Sequence, residues 1–208
     1  MVVPKLPPNY TVRRSLNLRK GKLYAPLSAL LNVILFLAAI LVLHRFVPFI
    51  TLFDRENGAF VLTVPRLLLN CMWILVGLLL YAILYLALKG AVLGFFGDAR
   101  PKFGIKGFYT YVSSSAYFSR KFYVLVYLLP DLIMAALLLG LAFVLPKSLF
   151  WLAATIGAFH ISRLGTSLLL TILVLCQPKS AFFRNNGTLT VVYTPQEGTE
   201  GERQKPAR

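Results

Sequence analysis

Acidic residues are the scarcest charge in this chain, with seven Asp and Glu against 22 Lys and Arg in 208 residues and a formal net charge of +15. Histidine and cysteine are scarcer still, at two each. These shortages exclude much soluble-enzyme chemistry. There is no nucleophile elbow, no glycine-rich phosphate loop and no cysteine pair at metal-ligand spacing. Cys71 and Cys176 both fall inside apolar runs, where they read as reduced core residues rather than a disulfide. Charged residues make up only 14% of the chain and hydrophobic residues 58%, with a mean hydropathy of +0.72, which is not the composition of a soluble domain. In a soluble protein +15 would point to nucleic acid. Here the basic residues gather in loops beside apolar runs and read as topology signals, so no nucleic-acid partner is expected.

What is present is four apolar stretches, at residues 25–43, 67–88, 122–145 and 149–176, each long enough to cross a bilayer. No short apolar region with a small-residue cleavage site precedes the first, so the N-terminus is expected to be retained. Of the basic residues, six lie in residues 1–24, six in 89–121 and five after 176. The other side holds four, Arg45, Arg55, Arg66 and Lys147, and Arg163 falls within a span. The asymmetry predicts a multi-pass cell-membrane protein with both termini in the cytoplasm. Residues 1–24 read as a basic tail kept extended by Pro4, Pro7 and Pro8. Residues 25–183 form the membrane domain, and residues 184–208 hold a short strand near 187–193 before a disordered end. Pro146-Lys147 predicts a tight hairpin joining the third and fourth helices.

The chain is organised around residues 81–111. Lys89 is the first charge to end the second apolar run, and beyond it Arg100-Pro101-Lys102-Phe103-Gly104-Ile105-Lys106-Gly107-Phe108 alternates charged with apolar or glycine residues. Proline and glycine there exclude a continued helix. The expected fold is thus an all-α integral membrane protein of four transmembrane helices, with a short cytoplasmic β-hairpin or re-entrant segment after helix 2. The flanking cations and aromatics, Tyr109, Tyr111, Tyr117 and Phe118 among them, suit a membrane interface, with the lipid bilayer as partner. Ser113 to Ser115 have no base nearby to make a nucleophile.

Chemistry inside the spans falls to a small polar set, Asn32, Asp131, His160 and Arg163, with Lys89 at a rim. Counting about 1.5 Å per residue, Asp131 and His160 both lie roughly 14 Å from the cytoplasmic edge and Arg163 roughly 9 Å. His160 and Arg163 share a helix face at i, i+3. An Asp131–Arg163 ion pair with the histidine beside it is the expected arrangement. It serves either as polar glue between helices or as a proton or ion relay. Pro130, directly before Asp131, removes a helical donor and predicts a kink.

Tyr85-Leu86-Ala87-Leu88-Lys89-Gly90, Arg100-Pro101-Lys102-Phe103-Gly104-Ile105-Lys106, Leu129-Pro130 and Gly165-Thr166 follow one another at spacings that resemble a family of small integral membrane zincin peptidases, akin to site-2-type intramembrane metalloproteases. In that family a basic tail and first span lead to a second span ending in His-Glu-x-x-His-Gly. A Lys-Pro-Lys-Phe-Gly-like hairpin, a third span opening near a proline and a Gly-Asp in the last span follow. The resemblance covers about half the chain, residues 81–183, and implies a zinc metallopeptidase scaffold. Every metal-site position is changed, however. Tyr85 and Lys89 stand where two imidazoles would ligate zinc, Leu86 where the glutamate base would act, and Thr166 where a carboxylate ligand would be. Tyr85 and Thr166, counted within roughly 5 Å of the cytoplasmic edge, are expected to meet. A catalytic zinc takes about three protein ligands plus water. No cofactor is therefore expected, although zinc is expected of the family. The resemblance implies a membrane-embedded pseudoenzyme, a binding or accessory subunit whose partner is another membrane protein or an extended peptide. The peptide would be taken along the hairpin at Lys102, Phe103, Ile105 and Lys106. Two alternatives stay open: an active membrane metallopeptidase with a non-standard site, and a small transporter-like protein using Asp131, His160 and Arg163.

Overall fold

The computed structural model describes residues 1–18, 21–48, 54–56, 59–61, 63–97, 101–106, 109–186 and 189–196. Four helices, each long and apolar enough to cross a membrane, are α1 (Tyr24–Phe46), α2 (Val64–Phe96), α3 (Arg120–Val144) and α4 (Lys147–Leu175). Around them lie short strands: β1 (Val2–Val3), β2 (Tyr10–Leu16), β3 (Asp54–Glu56), β4 (Ala59–Val61), β5 (Lys102–Lys106), β6 (Tyr109–Ser113), β7 (Tyr117–Ser119), β8 (Phe182–Asn185) and β9 (Thr190–Pro195). The fold is mostly helical, but it carries more sheet than a single hairpin. The extended basic N-tail is in fact strand-forming, because β2 finds its partner in β9 near the other end of the chain.

α2 also departs from expectation, running eight residues beyond Leu88 to Phe96. Lys89 does not stop it. The residues that follow, Ala91-Val92-Leu93-Gly94-Phe95-Phe96, are again apolar, and the Lys89 ammonium lies 5.5 Å from the Tyr127 ring centroid. A cation held over an aromatic face keeps its charge partnered while its stem continues the helix. The helix ends where the Gly97 N–H bonds the Leu93 carbonyl at 2.8 Å. In the loop before α2, β3 and β4 pair as a hairpin, whose turn, Asn57-Gly58, lies outside the described residues.

The chain divides into two compact units. The first comprises Met1–Ala25, Lys89–Leu128 and Leu170–Arg208. Its centre is an antiparallel sheet of order β1-β7-β8-β9-β2. Alternation along β8 and β9 buries Phe183 and Val192 on one face, where Phe118 and Tyr123 join them. Tyr123, in the first turn of α3, sits 5.3 Å from the Phe183 ring, stacks on Tyr127 at 4.4 Å and shares a 2.6 Å hydrogen bond with Thr190. Each such large side chain contributes about 1.5–3 kcal/mol by burial. Arg120 donates to the carbonyls of Leu175 and Gln177 at 3.2 and 2.9 Å, satisfying acceptors that the end of α4 leaves open. β5 and β6 form a separate two-stranded hairpin. It docks by placing the Phe103 ring over Gly90, where any Cβ would collide with the ring.

The second unit comprises Pro26–Leu88 and Leu129–Leu169. One core cluster brings Ala39 and Leu43 of α1 to Ala142 of α3 and to Phe150, Trp151, Ala153, Ala154 and Ala158 of α4. The alanines let α1, α3 and α4 approach closely at this seam. The second cluster joins Tyr81 and Tyr85 of α2 to Met134 and Leu138 of α3 and Ile156 of α4.

Candidate functional site

The second core cluster encloses a polar network, and α2 supplies the part of it that charge counting misses. Tyr81 and Tyr85 lie one turn apart on one helix face and stack at 5.8 Å with an interplanar angle of 15°. The Tyr85 hydroxyl donates to Oδ1 of Asp131, which is only 2% exposed. Arg163 lies with its guanidinium carbon 4.8 Å from the Tyr85 ring centroid and donates from Nη1 to the Tyr81 hydroxyl at 3.4 Å. His160, 1% exposed, stands edge-on to both tyrosine rings at 5.6 Å.

Hydrogen-bond complementarity fixes the histidine tautomer. Nε2 faces the Asp131 backbone carbonyl at 2.8 Å, and a carbonyl can only accept, so Nε2 carries the hydrogen. Nδ1 of the neutral ring is then the acceptor for the Tyr81 hydroxyl, also at 2.8 Å. The order of donation runs Arg163 to Tyr81 to His160 to the Asp131 carbonyl, and separately Tyr85 to the Asp131 carboxylate. One cation and one anion are thus joined through tyrosines. Oδ2 of Asp131 is buried and has no hydrogen-bond partner among the described residues.

The structure brings Asp131, His160 and Arg163 together on facing helices, but not as the expected direct ion pair. Tyr85 stands between the two charges, its ring under the guanidinium and its hydroxyl on the carboxylate. The expected position of Tyr85 near an edge does not hold, because α2 runs on past Lys89. With the helix ending at Phe96, Tyr85 lies eleven residues from its end, about 16 Å, as Asp131 lies eleven from Arg120. Tyr85 is therefore level with Asp131 rather than near an edge. Pro130 lies inside α3 and is buried.

The other positions matched by the resemblance have separate partners. Thr166 does not join Tyr85. Its N–H and hydroxyl reach Asn32 Oδ1 of α1 at 3.1 and 3.3 Å, and Asn32 Nδ2 donates back to its hydroxyl at 3.1 Å. Gly165 permits that approach, because a Cβ there would lie 2.6 Å from Asn32 Oδ1 and 3.1 Å from the α1 backbone. Leu86 is half-buried on α2 and offers no donor atom. Lys89 belongs to the first unit, with Tyr127. Among the described residues no three His, Cys, Asp or Glu side chains come together as a metal-binding group. The positions do not fit zinc. One phenol is engaged by a carboxylate, one threonine by an asparagine, and the other two offer an aliphatic chain and an ammonium.

The hairpin residues Lys102, Phe103, Ile105 and Lys106 lie on β5, opposite Ser113, Val112, Thr110 and Tyr109 of β6. Lys102 and Phe103 are exposed. The turn, Gly107-Phe108, lies outside the described residues, as does Arg100. The hairpin is two-stranded, so among the described residues the outer edge of β5 has no strand beside it. No family model matches the chain, and neither does any curated protein or solved structure.

Proposed function

We propose that this chain is a multi-pass membrane pseudoenzyme, built on a zincin-peptidase-like scaffold and serving as a binding or accessory subunit without proteolytic activity. The observation that carries the reading is the commitment of Tyr85. At the position that the resemblance gives to the first imidazole, its hydroxyl is held by Asp131 and its ring by Arg163, so the phenol is engaged by this chain's own side chains. The outer edge of β5 supports the binding half, since an unpaired edge takes an extended peptide by strand addition. Both termini and the 89–121 segment face the cytoplasm in this reading, on the basic asymmetry of the loops.

Protein purified without added metal should hold no stoichiometric zinc and show no chelator-sensitive peptide cleavage. Stoichiometric zinc together with cleavage that a chelator abolishes would end the pseudoenzyme reading. Cross-linking from Phe103 in native membranes should capture a partner, and proline at Ile105 should remove that capture with the four helices still folded. Unchanged capture would sink the edge-binding half.

A second reading is favoured by one atom. The unpartnered Oδ2 of Asp131, beside a tyrosine, histidine and arginine chain, suits a proton relay in a transporter-like protein. Proton-coupled flux in liposomes that Asp131→Asn abolishes would support it, and absence of flux would remove it.

A further inference from the structure

The described residues of the first unit contain eleven Lys and Arg and not one Asp or Glu. Four of these cations have aromatic or carbonyl partners within the unit: Arg14 with Tyr24, Lys89 with Tyr127, Arg120 with the end of α4, and Arg184 with Tyr117. Six others, Lys5, Arg13, Lys22, Lys102, Lys121 and Lys179, are exposed. Four of the six are tied to helix ends. Lys22 precedes α1 by two residues, Lys121 is the second residue of α3, Lys179 follows α4 by four and Lys102 follows α2 by six. Every one of the four long helices therefore carries, at the end that lies in this unit, an exposed cation with no acidic residue among the unit's described residues to compensate it.

Large apolar residues stand exposed beside them: Leu23 next to Lys22 at 71%, Phe103 next to Lys102 at 60%, and Val12 next to Arg13 at 62%. A soluble acidic partner would draw on the charges alone. A lipid interface takes both, phosphate against ammonium and acyl boundary against leucine or phenylalanine. We propose that this unit is a recognition surface for anionic phospholipid, in which the phosphates of headgroups lacking a compensating ammonium bind Lys5, Arg13, Lys22, Lys102, Lys121 and Lys179. The inference rests on the membrane-spanning reading above and adds a lipid class to it. Among the described residues of this surface no carboxylate repels phosphate, so it should favour phosphatidylglycerol over phosphatidylcholine, and each cation at the surface strengthens such attraction by about fivefold at low salt.

The test uses the full chain reconstituted in phosphatidylcholine bilayers with spin-labelled phosphatidylglycerol or phosphatidylcholine, reading the motionally restricted fraction of each. The expected result is a preference for phosphatidylglycerol of at least about fivefold, falling with added salt as charge is screened. In the six-site Lys/Arg→Gln variant both lipids should be restricted equally. Equal restriction in the unsubstituted protein, a preference indifferent to salt, or a preference that persists in the Gln variant would each overturn the proposal. Should the six-site variant fail to fold, Lys102→Gln with Lys179→Gln must still lower the preference, and no change there is equally fatal. Failure of the spanning reading looks different: alkaline carbonate releases the protein and neither lipid is restricted, which removes both.

Discussion

The tyrosine between Asp131 and Arg163 can be weighed by a double-mutant cycle. Tyr85→Phe keeps the ring beneath the guanidinium but deletes the hydroxyl that donates to Asp131 Oδ1, and Oδ2 is already without a partner. Both oxygens of a carboxylate that is 2% exposed would then be unpartnered by hydrogen bonds. Interhelical hydrogen bonds in membranes average about 0.6 kcal/mol and reach about 1.7, whereas hydrogen bonds to charged groups are worth about 1.5–3 kcal/mol. A lone donor to a buried carboxylate belongs toward the upper part of the first range, so a Tyr85–Asp131 coupling of about 1–2 kcal/mol is expected. Tyr85→Leu should cost more than Tyr85→Phe, because it also removes the aromatic face under Arg163, worth about 0.5–2 kcal/mol. The assay is reversible unfolding in mixed micelles by added SDS, followed through tryptophan fluorescence. Trp151, buried in the second unit's core, and Trp73 of α2 are the reporters. The reasoning fails if Tyr85→Phe, Asp131→Ala and their combination give a coupling within about 0.3–0.5 kcal/mol of zero, the ordinary error of additivity.

Gly165→Ala should destabilise the chain by about 1–3 kcal/mol, the usual cost of overpacking, because its Cβ meets the backbone of α1 and not only a movable side chain. Asn32→Ala on the same background should recover only part of the loss, and full recovery in the same unfolding assay would place the clash on the Asn32 side chain alone. Arg163→Gln should lose the cation over Tyr85 and destabilise by about 0.5–2 kcal/mol, and a stability equal to wild type would remove Arg163 from the network. For orientation, Lys106→Cys should resist an impermeant thiol reagent in intact cells and react after permeabilisation, whereas efficient labelling of intact cells would invert the topology.

What the sequence disclosed and what it hid divide along the range of the interactions. Helix formation in an apolar medium depends on length and composition, both local, so the four long helices and the hairpin after the second could be read directly from the residues. The five-stranded sheet could not be. β2 pairs with β9 across most of the chain, and a strand with two adjacent arginines behind three prolines has no local feature that distinguishes it from a solvated tail. The polar network is the more instructive case. Its charged members stand out because charge is rare in an apolar run, whereas Tyr81 reads as one more hydrophobic residue in a leucine-rich helix and Tyr85 is marked by the resemblance alone, paired with Thr166 rather than with Asp131. The i, i+4 spacing of Tyr81 and Tyr85 is the available signal, since two phenols on one face of an apolar helix both need acceptors. Taking Lys89 as the end of that helix concealed the rest, for it placed Tyr85 at an edge and left Asp131 facing Arg163 with nothing between. Once the helix runs on to Phe96, the same count puts the phenol level with the carboxylate, and a tyrosine that can hold an anion by its hydroxyl and a cation by its ring becomes the natural bridge.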